Sequence, residues 1–153
     1  MTEVYISVDI EASDPIEYSM LSLGACLVSN TERNFYVELK PINSNYTKEA
    51  LEVSGLSMEH LQKYGRSPEL AMKKFDEWAR AIQGRPVLVA FNATFDWSFV
   101  NYYFHKYVGN NPFGISGLNI KAYYMGMMCK WGETMKRKIH DSFKSKRKHT
   151  HNA

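Results

Sequence analysis

Cysteine is scarce in this 153-residue sequence: Cys26 and Cys129 are the two it has. They match no metal-ligand spacing and cannot build a disulfide framework, so both read as reduced and structural. A long apolar run is lacking as well, since no stretch approaches the length of a membrane span. The opening MTEVYISVDI has neither the basic start nor the apolar middle of a secretory signal. These absences lead to the expectation of a soluble, cytoplasmic protein with no membrane partner. No internal repeat and no linker-like stretch divides the chain, so one domain over residues 1–153 is expected.

Net charge is small, +3, yet it is unevenly spread. Residues 130–153 hold eight Lys or Arg against two acids, a net of +6, which leaves eleven basic and fourteen acidic residues before them, a net of −3. The end KSKRKHTH suits a polyanion such as nucleic acid. On charge alone a solvated tail reads equally well.

What the chain does have is core material: 44% hydrophobic residues and 14% aromatics suffice for one globular domain. VYISVDIEAS, residues 4–13, alternates without a fault. Val4, Ile6, Val8, Ile10 and Ala12 share one face of an extended chain, and Asp9 and Glu11 stand together on the other. At about 6–7 Å and an effective dielectric near 20, two such charges oppose each other by roughly 2–3 kcal/mol. Water, a basic partner or a bound cation must offset that.

SMLSLGACLVS (19–29) sets Leu21, Leu23, Ala25 and Leu27 on one face, and NFYVELK (34–40) alternates again, which predicts a three-strand antiparallel meander. The period then changes. Ser67-Pro68 signals a helix start, and Ala71, Phe75, Trp78, Ala79 and Ile82 form an amphipathic stripe ending before Gly84. PVLVAFN (86–92) reads as a buried parallel strand, TFDWSFVNYYFHKYV (94–108) as a helix ending at Gly109, GLNI as a brief strand, and 121–131 as a further helix. The expected class is α/β, a mixed sheet with helices on its faces.

A lone D-x-E is weak evidence, because one or two acid-x-acid matches arise by chance in such a chain. A second feature is VAFNATFDW (89–97), where an apolar strand turns into a helix whose first turn carries Asp96. Taken alone, Asp96 reads as complementing the helix dipole.

Together the segments resemble the DEDDh 3′→5′ exonucleases, the superfamily of ribonuclease T and the bacterial polymerase III proofreading subunit. Asp9 and Glu11 match the first motif of that family, and Asn92, Phe95 and Asp96 the second. LEVSGLSMEHL is similar to the short segment after the third strand, with Ser54 where a histidine is frequent. The third motif is a histidine followed five positions on by an aspartate. KHTHNA offers His149 and His151, of which His151 is the better match, and the sequence stops before either could have its aspartate. The reading is therefore of an exonuclease domain that lacks the end of its last helix, one acid and much of its turnover.

The resemblance implies a ribonuclease H-like fold and phosphodiester hydrolysis with two divalent cations, Mg²⁺ or Mn²⁺, which favour carboxylate oxygens. It implies that Asp9 bridges the ions, Glu11 serves one of them and Asp96 holds the site directly or through water. His151 would be the general base. For the 3′ end of a single-stranded nucleic acid, Ala12 would offer backbone to the sugar, and Met20 and Phe95 would touch the terminal base. Met20 and Phe95 also read as ordinary core residues. Two other readings stand beside this one: a non-catalytic nucleic-acid binding or scaffold module on the same fold, and an endonuclease of the ribonuclease H type. RNA or DNA as substrate, and a homo-oligomer, are left open.

Overall fold

The alternation of the first strand dictates the centre of the molecule. In the computed structural model, which describes residues 2–14 and 19–144, β1 (Glu3–Ala12) buries Ile6, Val8, Ile10 and Ala12, while Asp9 and Glu11 stay half-buried on the opposite face. β2 (Met20–Leu27) and β3 (Asn30–Glu38) complete the expected antiparallel meander. β4 (Arg85–Ala90) runs parallel to β1, and β5 (Gly117–Asn119) runs parallel to β4. The sheet order is β3-β2-β1-β4-β5, so β1 is the middle strand, flanked by one antiparallel and one parallel neighbour.

The expected alternation of β2 fails at one point. Ile10 faces Leu23 and Glu11 faces Ser22, but Ala12 faces Met20, so the register slips by one residue. Such a bulge sets two residues against one and re-aims the side chains beyond it. Met20 consequently shares the face of Ala12 and packs into the main core, a place that simple alternation gives to Leu21. Its backbone N–H donates to the hydroxyl of the fully buried Tyr103 at 2.8 Å. Tyr103→Phe should leave that N–H without its acceptor, at a cost of about 1–3 kcal/mol. Thermal unfolding checks this: a melting temperature several degrees lower is expected, and an unchanged one would show that the bond contributes nothing.

Two short helices, α1 (Lys48–Ser54) and α2 (Met58–Tyr64), stand between β3 and α3, where the periodicity of the sequence assigns no element. Seven residues make a marginal helix on propensity alone. Local capping supports them: the Thr47 hydroxyl accepts from the Ala50 N–H, the Ser57 hydroxyl accepts from the His60 N–H, and Gly55 closes α1 at φ 68°. The Thr47 N–H also donates to the Ser13 carbonyl, which ties the start of α1 to the end of β1.

α3 (Pro68–Arg80) begins as predicted, with Ser67 as its cap and Pro68 in its first turn. Its buried stripe of Ala71, Met72, Phe75 and Ala79 lies against the apolar face of the sheet, where the Phe75 ring meets Phe35, Phe104 and Phe113 at 5.2–5.8 Å between centroids. α4 (Ala93–Tyr107) adds Phe99, Val100, Tyr103 and Phe104 to this core. α5 (Ile120–Met128) ends three residues earlier than predicted, because Cys129 adopts the left-handed conformation at φ 54° that terminates helices. Cys26 is buried and Cys129 is exposed, both as free thiols, so the expected structural role fits Cys26 and not Cys129. Beyond α5 the chain makes three 3₁₀ turns, the last over Asp141–Phe143. No helix among the described residues is long and apolar enough to cross a membrane.

Candidate active site

β1 and β4 pair from Glu3↔Arg85 to Ser7↔Val89, and β4 stops at Ala90. β1 continues past that point. The chain turns at Phe91 and Asn92 and starts α4, which brings Asp96 up to the uncovered edge of β1. There the Ile10 N–H donates to Asp96 Oδ1 at 3.2 Å. A carboxylate from the helix thus replaces a ladder partner, on the residue lying between Asp9 and Glu11. Buried backbone donors require an acceptor, so this bond fixes the Asp96 side chain as well as the strand. The crevice at the carboxyl ends of parallel strands, beside a helix start, is where open α/β sheets place their ligands.

Asp96 is 5% exposed. Burial and, next, the charge of Asp9 push its carboxyl up to about 7; Glu11 adds a smaller push, and the Ile10 N–H and its own N–H oppose the rise. Each of those charges is acidic. Three carboxylates from two distant stretches of chain therefore converge, and burial together with their repulsion holds a proton on Asp96 near neutrality. Among the described residues no set of three or more acidic, histidine or cysteine side chains is already drawn into a shell that could hold one ion. An all-carboxylate donor set fits hard divalent cations, and not zinc or copper, which favour nitrogen and sulfur.

The other predicted residues fall into distinct places. Ala12 lies at the end of β1, next to the acids and almost buried. Phe95 is half-buried on the first turn of α4, its ring 4.9 Å from that of Phe99, and so keeps a face for a ligand. Met20 does not: it is fully buried, and the expectation of a base contact gives way to a core position beside Ala12 on the neighbouring strand. Asn92 is the N-cap of α4 without a side-chain capping bond. Ser54 is buried at the end of α1, its hydroxyl donating to Leu51 O and accepting from the Leu56 N–H. His149 and His151 lie outside the described residues.

One group on the acid-bearing face escapes sequence reasoning. Glu11 faces Ser22, which faces Glu38, and Asp9 faces Gly24, which faces Tyr36. The Tyr36 hydroxyl donates to Glu38 Oε1 at 3.1 Å. Burial, followed by the Glu38 charge, pushes the phenol up to about 12. Strand alternation points to Tyr36 and Glu38 as polar-face residues. The cross-strand register that sets them beside the acids is not written in it.

Sheet order, strand directions and the crevice define a ribonuclease H-like fold with an acidic nuclease-type centre. Two kinds of likeness extend this. The chain is 48% identical over 130 residues to the 3′-5′ DNA exonuclease Cap18 of Escherichia coli, covering 82% of this chain and 70% of that protein. No family model matches the sequence. Among solved structures, the nuclease domain of 3′hExo, described as a DEDDh family member and bound to rAMP, superposes with a TM-score of 0.77 at 14% identity, over 97% of this chain and 83% of that one. Exonuclease I of E. coli, in a metal-free complex with single-stranded DNA, superposes with a TM-score of 0.64 at 10% identity over 82% of this chain and 30% of the other. The chain belongs to the DEDDh 3′→5′ exonucleases, hydrolases of phosphodiester bonds.

Proposed function

We propose that the chain shortens single-stranded DNA from its 3′ end, using two divalent cations, Mg²⁺ or Mn²⁺, held by Asp9, Glu11 and Asp96. The observation that carries this is the bond between Asp96 and the Ile10 N–H, which joins the helix acid to the strand of the other two. The similarity to a named DNA exonuclease supports DNA over RNA.

In this reading Asp9, Glu11 and Asp96 would hold the cations, Asp96 through the oxygen it does not give to the Ile10 N–H. Bound cations would supply an activated water and stabilise charge on the phosphate and the leaving 3′ oxygen. The chain's own groups do the positioning. Ala12 presents backbone to the terminal sugar, Phe95 offers an aromatic face to the terminal base, and Met20 packs beside Ala12 in the core. His151, or else His149, takes a proton from the attacking water, as an imidazole titrating near neutrality can. The setting we propose is the cytoplasm.

A 5′-labelled single-stranded DNA, incubated with the protein and Mg²⁺ or EDTA, tests the reading. Stepwise 3′ shortening with Mg²⁺ and none with EDTA is expected, with an RNA of the same sequence cut more slowly. Salt-sensitive binding without shortening would make the chain a non-catalytic module. Internal cuts would make it an endonuclease.

A further inference from the structure

A strand whose 3′ end lies at the acids leaves the crevice over one of its two flanks, and the flanks differ in charge. On one side α1 and α2 follow the end of β1, to which the Thr47 N–H ties them, and residues 47–64 carry two Lys against three Glu. A polyanion gains nothing there. On the other side β5, parallel to β4 and so to β1, delivers the chain to the same end of the sheet, where α5 begins. Residues 117–144 carry six Lys or Arg against two acids, a net of +4. Part of the basic end of the sequence therefore stands beside the crevice.

The start of α5 is fastened to the turn that leads into the site. The Lys121 N–H donates to the Phe91 carbonyl at 3.3 Å, and the Lys121 ammonium lies 5.8 Å over the Phe91 ring, one residue before the cap of α4. Among the described residues Lys121 makes no ion pair. From there the nine residues of α5 extend about 13 Å. Tyr123 and Met127, four apart, share a face of the helix, and Trp131 follows in the next turn; the three are 63%, 51% and 76% exposed. Large apolar side chains exposed together mark an interaction surface. Lys130 adjoins Trp131, and the Lys138 ammonium lies 3.8 Å from where a Cβ on Gly132 would stand. Rings and cations thus interleave, the combination that holds a single strand by stacking its bases and pairing its phosphates. A second copy of the chain on this face would instead set like charge against like.

We propose that the exposed side of α5, from Lys121 through Tyr123 and Met127 to Trp131, is a platform for the nucleotides on the 5′ side of the end being cut, bound without regard to their sequence. The inference rests on the nuclease reading above. It adds a second place of contact, outside the acid centre, that only a strand of several nucleotides reaches.

Oligothymidylates of two lengths, a dodecamer and a trimer, test it on the full chain. With Mg²⁺ the KM of the parent should be lower for the dodecamer. Trp131→Ala should raise the dodecamer KM about fivefold or more, the loss of one stacked base, and leave that of the trimer where it was. Trp131→Phe, which keeps a ring, should restore most of the difference. In EDTA, the anisotropy of a fluorescein-labelled dodecamer reads binding without hydrolysis. There Trp131→Ala should weaken affinity by a similar factor, and Lys121→Gln should lower the slope of log affinity against log salt by about 0.7. Equal KM for the two lengths in the parent, or parental dodecamer binding in Trp131→Ala, overturns the proposal while hydrolysis leaves the nuclease reading intact. So does a Trp131→Ala chain that light scattering shows as a monomer where the parent is a dimer, since the face would then belong to a second copy. A parent that neither binds nor shortens either oligonucleotide fails the nuclease reading, and the proposal with it.

Discussion

Replacing Asp96 by asparagine should make the metal-free protein more stable while destroying its activity. Buried against Asp9 and Glu11, Asp96 keeps its proton up to about pH 7, against 3.8 for an ordinary aspartate. The folded state therefore binds a proton that the unfolded chain gives up between about pH 4 and 7. Stability falls as pH rises through that window and levels off above it. The penalty at pH 8 is on the order of 2–4 kcal/mol. Asparagine can accept from the Ile10 N–H in the same way and carries no charge to desolvate. Without metal, Asp96→Asn should melt several degrees above the parent at pH 8, with the two converging near pH 4. Added Mg²⁺ should raise the melting temperature of the parent and leave the variant unmoved. Equal stability at pH 8 would show that the three acids do not repel one another as the structure has them.

Asp9→Ala should have the larger effect on turnover. Asp9 stands on the middle strand, one residue before Ile10 and on the face it shares with Glu11, and it is the strongest charge acting on Asp96. Its loss takes away the acid nearest to both partners, and a fall in DNA hydrolysis of more than about 100-fold is expected, beyond what removing an outer hydrogen bond does. The core beneath it belongs to Ile6, Val8 and Ile10, whose packing does not depend on Asp9. The far-ultraviolet circular dichroism should therefore stay that of the parent. Turnover within a few-fold of the parent's would remove Asp9 from the metal assignment. In the same variant the Asp96 pKa should fall yet stay above that of an ordinary aspartate, because burial still raises it.

The parts of this architecture that the sequence discloses are those held by long periodic patterns. The strand of Asp9 and Glu11, the stripe of α3 and the apolar run into α4 each have a repeat that only one kind of element can bury. Features made by a single residue are hidden. The extra residue that slips β2 against Ala12 leaves no trace in alternation; the base contact at Met20 comes from the resemblance alone, and the structure bears out its other reading, as a core residue. Helices α1 and α2 are too short for a period and are marked only by Thr47, Ser57 and Gly55. The acid centre is an intermediate case. Asp9 and Glu11 follow from strand geometry, whereas Asp96 taken alone reads as a dipole partner. Its true neighbours appear only when β4 ends short of β1 and leaves the Ile10 N–H to be satisfied. Ser22, Tyr36 and Glu38 need the register of three strands at once.

The most direct test is anomalous diffraction from crystals grown with Mn²⁺. The account predicts manganese peaks bordered by the carboxylates of Asp9, Glu11 and Asp96, at the open end of β1. Crystals saturated with Mn²⁺ that show no peak among those three side chains, or a lysine or arginine seated between them, would contradict it.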